Sequence, residues 1–190
     1  MTEVKINMRE LKASIADVLP VMKAGLKQAI PTLAYARVVS DGETVRFEAS
    51  DRFCVVYSTF AWADGDERFP EFRTFVDVDA LTALKGYGTM ADLSLDGEGF
   101  VLRKKDDATR FSVSQPGDWP DLARFVDETW GDKDYFTPGD ETEPAAFNPM
   151  IVKHIKDVQI IPRVNKSRKP WRIQAKGRVK GVVMPIGLPG

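Results

Sequence analysis

The chain has 190 residues, 43% hydrophobic and 29% charged, enough to bury one full core and a smaller second one. No apolar run reaches the roughly 18 residues of a membrane span, and the first residues lack the basic-then-apolar plan of a signal peptide. The single cysteine, Cys54, excludes an internal disulfide and a CxxC metal site. We therefore expect a soluble globular protein in the cytoplasm, with no membrane partner.

The formal net charge of −1 conceals an uneven distribution of charge along the chain. Residues 1–117 carry 15 basic and 18 acidic side chains, residues 118–144 carry 2 and 9, and residues 145–190 carry 10 and 1. A basic run such as residues 145–190 is usually a solvated surface. Because the basic segment also contains helix and strand patterns, it favours a folded surface for a polyanion, with nucleic acid first.

The first part of the chain predicts a strand, a helix and three antiparallel strands. Residues 4–8 alternate like a strand, and residues 11–26 carry an apolar stripe at steps of three and four, which is typical of an α-helix. Three further strands are expected, with Asp41-Gly42 as the first turn: 35–40, 44–49 and 53–61.

The same order of elements begins again at residue 73. A strand at 73–76 precedes a short helix at 77–85, and three more strands are expected at 91–95, 99–104 and 109–114. The sequence therefore predicts an internal structural repeat of about 60 residues.

The remainder predicts a connector and a partial third unit. Residues 117–146 are rich in Gly, Pro and acidic residues and predict at most one short strand. Asn148 is suited to cap a helix with Pro149 in its first position, and strands are expected at 171–175 and 179–186. Three divisions follow: a complete domain at 1–123, an acidic connector at 124–146 and a partial unit at 147–190.

Several short fragments, spread in order along the chain, resemble the bacterial β sliding clamps, the beta subunits of DNA polymerase III. They are Ile30-Pro31-Thr32-Leu33, Ser50-Asp51, Arg110-Phe111-Ser112-Val113, Asp118-Trp119-Pro120-Asp121-Leu122, Phe147-Asn148-Pro149 and Val182-Val183-Met184-Pro185-Ile186. The resemblance implies an α+β DNA-clamp fold, with helices around a central hole and antiparallel sheets as its outer wall. It also implies a shortened, phage-type version without the middle domain and about half of the last one.

By this resemblance the protein is a processivity factor and not an enzyme. It would encircle or track double-stranded DNA without sequence preference and bind a DNA polymerase and a clamp loader through short peptide motifs. A ring of about a dozen strand–helix units would need about four chains, so a homo-oligomer is expected. The alternative is a clamp-like interaction protein that binds replication components without forming a ring.

The residues give their own reason to expect DNA. On a helical wheel the basic residues of the first helix share one flank, whereas Glu10 and Asp17 lie on the other. Single lysines usually just occupy solvent-exposed positions. Segregated cations instead suit phosphate contacts that do not read bases. The predicted DNA contacts are Arg9, Lys12, Lys23, Lys27, Lys85, Lys153 and Lys156.

The C-terminal fragment has two interpretations. A valine-rich strand is commonly part of the core. In the resembling family the matching residues help to form a hydrophobic pocket for partner peptides, which here would be Val182, Met184, Pro185 and Ile186. The other wall of that pocket would belong to the region that this chain lacks.

Catalysis has little support in the sequence. The single histidine, His154, has no second histidine or cysteine to complete a ligand set, and the acidic run 64–67 lacks the ligand spacing of an EF-hand. The four tryptophans are scattered, as core or interface residues usually are. We therefore expect no catalytic residue, metal or cofactor.

Overall fold

The computed structural model describes residues 4–61, 71–84, 90–96, 99–104, 107–112, 118–132, 152–153, 155, 157–162 and 170–185. Within these ranges the chain has an α+β fold of antiparallel sheets with few helices, as the sequence predicts. The first unit comprises β1 (Val4–Asn7), α1 (Met8–Gly25), β2 (Tyr35–Ser40), β3 (Thr44–Ser50) and β4 (Cys54–Ala61). Two 3-10 turns, Leu26–Gln28 and Pro31–Ala34, join α1 to β2.

The second unit repeats this order, which confirms the predicted repeat. It comprises β5 (Phe72–Asp77), α2 (Val78–Ala83), β6 (Met90–Asp96), β7 (Gly99–Lys104) and β8 (Asp107–Ser112). The Asp77 carboxylate caps α2 by accepting a hydrogen bond from the backbone N–H of Ala80 at 2.7 Å.

The two units exchange their first strands. β1 pairs with β6 of the second unit, and β5 pairs with β2 of the first. One sheet therefore has the order β1-β6-β7-β8, whereas the other begins β5-β2-β3-β4.

The C-terminal strands extend the second of these sheets to seven strands. They are β9 (Gln159–Ile161), β10 (Trp171–Ala175) and β11 (Val179–Val183), and β11 pairs along β4 from Val179 opposite Ser58 to Val183 opposite Cys54. Of the predicted third helix, Asn148, Pro149 and Ile151 lie outside the described residues, whereas Val152 and Ile155 are buried in the core.

A third helix occupies part of the predicted connector. α3 (Leu122–Gly131) shows that the prediction of at most one short strand in 117–146 was wrong. Its signal was present: Leu122, Val126 and Trp130 recur every four residues behind Asp121, which caps the helix through the N–H of Arg124. The boundary predicted after residue 123 falls inside α3, and the three-part division itself stays a prediction.

The seven-stranded sheet is covered on both sides. On the α1 side, α1 packs on β3 and β4, and its buried Leu11, Ile15 and Val18 share one core with residues of β10 and β11. On the α3 side, a second cluster joins Leu122 and Val126 to residues of β4 and β11, namely Val55, Tyr57 and Val182. Both helices thus pack across the first unit and the C-terminal strands.

Gly181 lets β11 lie close against β4. A Cβ atom at this position would lie 2.3 Å from the backbone oxygen of Val55, which is too close, and 3.1 Å from Cγ1 of Ile173, which would have to shift slightly. At Gly131, near the end of α3, a Cβ atom would meet nothing within 4 Å.

We expect Gly181→Ala to push β11 away from β4 and lower the free energy of unfolding by about 1–3 kcal/mol. Gly131→Ala is the control and should be close to neutral. Urea unfolding measures both effects, and the Cys54 thiol, buried opposite Val183, should react with a thiol reagent sooner in Gly181→Ala. Equal unfolding midpoints for the two variants would contradict this account of the junction, by which we mean the pairing of β4 with β11.

Candidate functional site: a basic helical face and an apolar pocket

The predicted cations of the first helix do lie together along one element. Arg9 and Lys23 are exposed on α1, Lys12 is half-buried there, and Lys27 is exposed on the 3-10 turn that follows. Lys85 and Lys156 lie outside the described residues. The part of α1 that reaches solvent is therefore mainly basic, with the half-buried Glu10 as its acidic residue.

Lys153 lies on the same side of the sheet as α1. It is exposed next to the buried Val152, which together with Ile155 joins the core beneath α1. Asp157, also exposed, is the acidic residue described in this segment, and His154 lies outside the described residues. The structure thus brings the start of the C-terminal unit to the helical side that carries the first four cations.

Asp17, which the helical wheel places on the flank away from the cations, is buried. Its side chain is 3% exposed, and its carboxylate accepts from Arg178 Nε at 2.7 Å, Lys176 Nζ at 3.1 Å and Ser58 Oγ at 3.2 Å. The helical wheel could not show this because both cations come from the β10–β11 turn. They bring two positive charges to the α1 side against the one carboxylate of Asp17.

The α3 side of the sheet exposes charges of both signs, and its exposed cations include Arg124 on α3 and Lys180 over the Trp130 ring. α3 and its cap expose Asp121, Asp127 and Glu128. Beneath them the fully buried Glu48 pairs with Arg37 at 2.7 Å and Arg46 at 2.8 Å.

Polar contacts fix α3 to this side. Arg37 also reaches Asp121 at 3.2 Å, and the hydroxyl of Tyr57 donates to Asp127 at 2.9 Å. Burial and the neighbouring Asp127 carboxylate raise the pKa of Tyr57 well above its usual value, so this donor stays protonated. At the other end of α3, Arg172 donates to the backbone oxygens of Thr129, Trp130 and Asp132.

An apolar pocket of about 240 Å³ opens where the 3-10 turns, the β3–β4 turn and the start of α3 meet. Its walls are Ile30, Thr32, Leu33, Ser50, Arg52, Trp119, Pro120 and Leu122. All of these except Arg52 belong to the fragments through which the sequence resembles the β clamps. Fragments far apart in the chain therefore converge on one cavity.

The β3–β4 turn is held tightly beside this pocket. The Asp51 carboxylate accepts from the N–H groups of Phe53 at 2.9 Å and Cys54 at 2.7 Å, and Ser50 Oγ accepts from the N–H of Arg52. Burial raises the pKa of Asp51 against the lowering effect of these hydrogen bonds. Desolvation, reinforced by the Asp51 charge, also raises the pKa of the Cys54 thiol, which therefore stays protonated and unreactive.

The C-terminal residues meet this turn directly. The N–H of Met184 donates to the backbone oxygen of Phe53 at 2.8 Å, and the side chains of Met184 and Phe53 are 37% and 43% exposed. The C-terminal residues thus lie against the β3–β4 turn of the first unit, next to the wall residue Arg52.

The four predicted pocket residues have different positions. Met184 is exposed and Pro185 half-buried, neither is a wall of the cavity, and Ile186 lies outside the described residues. Val182 is 1% exposed and packs beneath α3, so the structure places it in the core of the junction. Sequence reasoning missed Ile30, Leu33 and Trp119 as pocket walls, although it had singled out their fragments.

No group of three or more His, Cys, Asp or Glu side chains in the described ranges is placed to hold a metal ion. No described helix is both long enough and apolar enough to cross a membrane.

The two antiparallel sheets, with helices packed on both sides of the larger one, define the DNA-clamp fold. More particularly, the fold is that of the beta sliding clamps of bacterial DNA polymerase III. The structure matches the DNA polymerase III subunit beta of Pseudomonas aeruginosa over 100% of this chain, with a TM-score of 0.68 and 10% identity.

Other solved clamps give the same result. The beta chain of Streptococcus pneumoniae matches 99% of this chain with a TM-score of 0.73 and 11% identity, and that of Thermotoga maritima matches 98% with 0.67 and 16%. The chain covers 65–66% of the length of these three proteins. No family model and no curated protein sequence matches it.

Val182 and Met184 should respond differently to truncation, although they stand two residues apart. Val182→Ala removes buried methyl groups between β4 and α3 and should cost about 1.5–3 kcal/mol of unfolding free energy. Met184→Ala removes a partly exposed side chain and should cost less than about 1 kcal/mol. Thermal and urea unfolding measure both, and a Met184→Ala loss as large as that of Val182→Ala would place Met184 in the core.

Proposed function

We propose that the chain is a clamp-type processivity factor. It holds duplex DNA through the α1 side without reading sequence, and it tethers a DNA polymerase or clamp loader through a short peptide in the junction pocket. The observation that carries the proposal is the convergence of the clamp-like fragments on one cavity at the β3–β4 turn, where Phe53 accepts a hydrogen bond from the N–H of Met184. The solved structures of the same fold are DNA polymerase III beta subunits and sliding clamps, which supports the same direction.

The distribution of charge supports the DNA part of the proposal. Arg9, Lys23, Lys27 and Lys153 are exposed on the α1 side, whereas α3 exposes both carboxylates and Arg124 on the other. Flexible ammonium groups attract phosphates strongly at low salt and provide no pattern that distinguishes one base from another. Binding of this kind permits movement along a duplex, which a processivity factor needs.

The pocket supports the tethering part. Its cavity is smaller than the roughly 300–1,000 Å³ of typical small-molecule sites, so it suits apolar side chains of a peptide. Met184 is flexible and polarizable, which suits a surface that accepts different hydrophobic sequences.

A second candidate is a clamp-like interaction protein that binds replication components without encircling DNA. It is favoured by the strand pairing of β4, which has β3 on one edge and β11 of the same chain on the other. Because both edges are occupied, β4 offers no edge to a second chain in a ring. Among the described strands, only β1, β8, β5 and β9 end a sheet. Light scattering separates the candidates: the ring hypothesis needs several copies, whereas a mass of 21.2 kDa with and without DNA would leave the second candidate.

Changing Lys12, Lys23 and Lys27 together to Glu should greatly weaken binding to a duplex of arbitrary sequence while the fold is retained. The wild-type association constant should fall steeply with salt, and losing about three phosphate contacts should make that slope shallower by about three. Fluorescence anisotropy at several salt concentrations measures both effects.

The control variant applies the same charge change to exposed cations elsewhere, at Arg73, Arg124 and Lys180. It should affect DNA binding far less than the α1 variant. Equal losses in the two variants would mean that net charge, and not the α1 side, governs binding. Strong preference for one DNA sequence would exclude the sliding mechanism.

A further inference from the structure

Arg52 holds an unusual backbone conformation at the edge of the pocket. Its φ is +82°, in the left-handed region that strains an L side chain and where glycine is the default residue. The turn cannot easily relax, because Ser50 and Asp51 accept hydrogen bonds from the N–H groups of Arg52, Phe53 and Cys54. The fold therefore keeps an arginine at a position where glycine would be more stable.

The side chain of Arg52 is held next to the apolar part of the site. Its guanidinium carbon lies 5.7 Å from the centre of the Phe53 ring, and Phe53 in turn accepts from the N–H of Met184. Arg52 also lines the cavity with Ile30 and Trp119. The pocket is thus apolar inside and has a cation at its edge.

The carboxylates near Arg52 are engaged elsewhere. Asp51 is 4% exposed and bonded to its own turn, and Asp121, next to Pro120, is held by Arg37 and by the N–H of Arg124. These hydrogen bonds lower the pKa of Asp121. No ion pair of Arg52 occurs within the described part of the chain, so its guanidinium can accept an incoming carboxylate.

We propose that Arg52 is a specificity-determining residue of the junction pocket, which takes a partner peptide that carries a carboxylate beside its apolar side chains. The apolar side chains fill the cavity, and the carboxylate pairs with the planar guanidinium. This inference rests on the proposed function, since it names the chemistry of the peptide that the same pocket would bind.

Two labelled hexapeptides test the inference by anisotropy. Both contain one leucine and one phenylalanine, and they differ only in an aspartate or an asparagine beside them. Because Arg52 is exposed, its ion pair is worth at most about 1 kcal/mol, so the wild type should bind the aspartate peptide roughly three- to fivefold more tightly. This preference should decrease at high salt.

Arg52→Gly should bring the ratio of the two affinities to about one and keep or raise the melting temperature, since glycine relieves the positive φ. Arg52→Lys should retain part of the preference, and Arg73→Gln, an exposed cation on β5, should retain all of it. Equal binding of both peptides by the wild type would overturn the role of Arg52 and leave the tethering function standing. Binding of neither peptide would instead remove the pocket from the proposed function, and the inference with it.

Discussion

The pairing of β11 with β4 is the contact on which the rest of the structure depends. It brings the basic C-terminal segment onto the sheet of the first unit, and it is possible because Gly181 presents no side chain to Val55. On one side of the sheet this pairing places Lys176 and Arg178 next to Asp17. On the other it creates the surface of Val55, Tyr57 and Val182 on which α3 packs.

The carboxylates of Asp17 and Glu48 can be buried without a large loss of stability only because each is paired with cations. A buried carboxylate without a partner costs several kcal/mol, whereas each of these has two cations within ion-pair distance. The two clusters lie on opposite sides of one sheet. Asp17 joins α1 to the C-terminal turn, and Glu48 lies under the network that holds the start of α3.

Local sequence patterns predicted most of the elements. The bounds of β2, β7 and β10 agree with the structure, because their apolar alternation and turn residues are local signals. Strand partners were not predictable in this way, since neither the exchange of β1 and β5 nor the pairing of β11 with β4 leaves a local pattern. The burial of Asp17 was missed for the same reason: its cationic partners lie about 160 residues away in sequence. The cavity was not predicted, since its walls come from segments far apart in the chain, and Val182, Met184 and Pro185 are not among them.

The exchange of first strands also has a consequence for how the chain folds during synthesis. β1 has no pairing partner until β6 has been synthesised. One edge of β4 likewise stays unpaired until β11 has emerged, near the end of the described chain. Pairings so distant in sequence form slowly, and an open strand edge invites association with other chains. A nascent chain stopped before Val179 would therefore expose a long apolar edge along β4, which makes translation and folding of the last strands the step most vulnerable to aggregation.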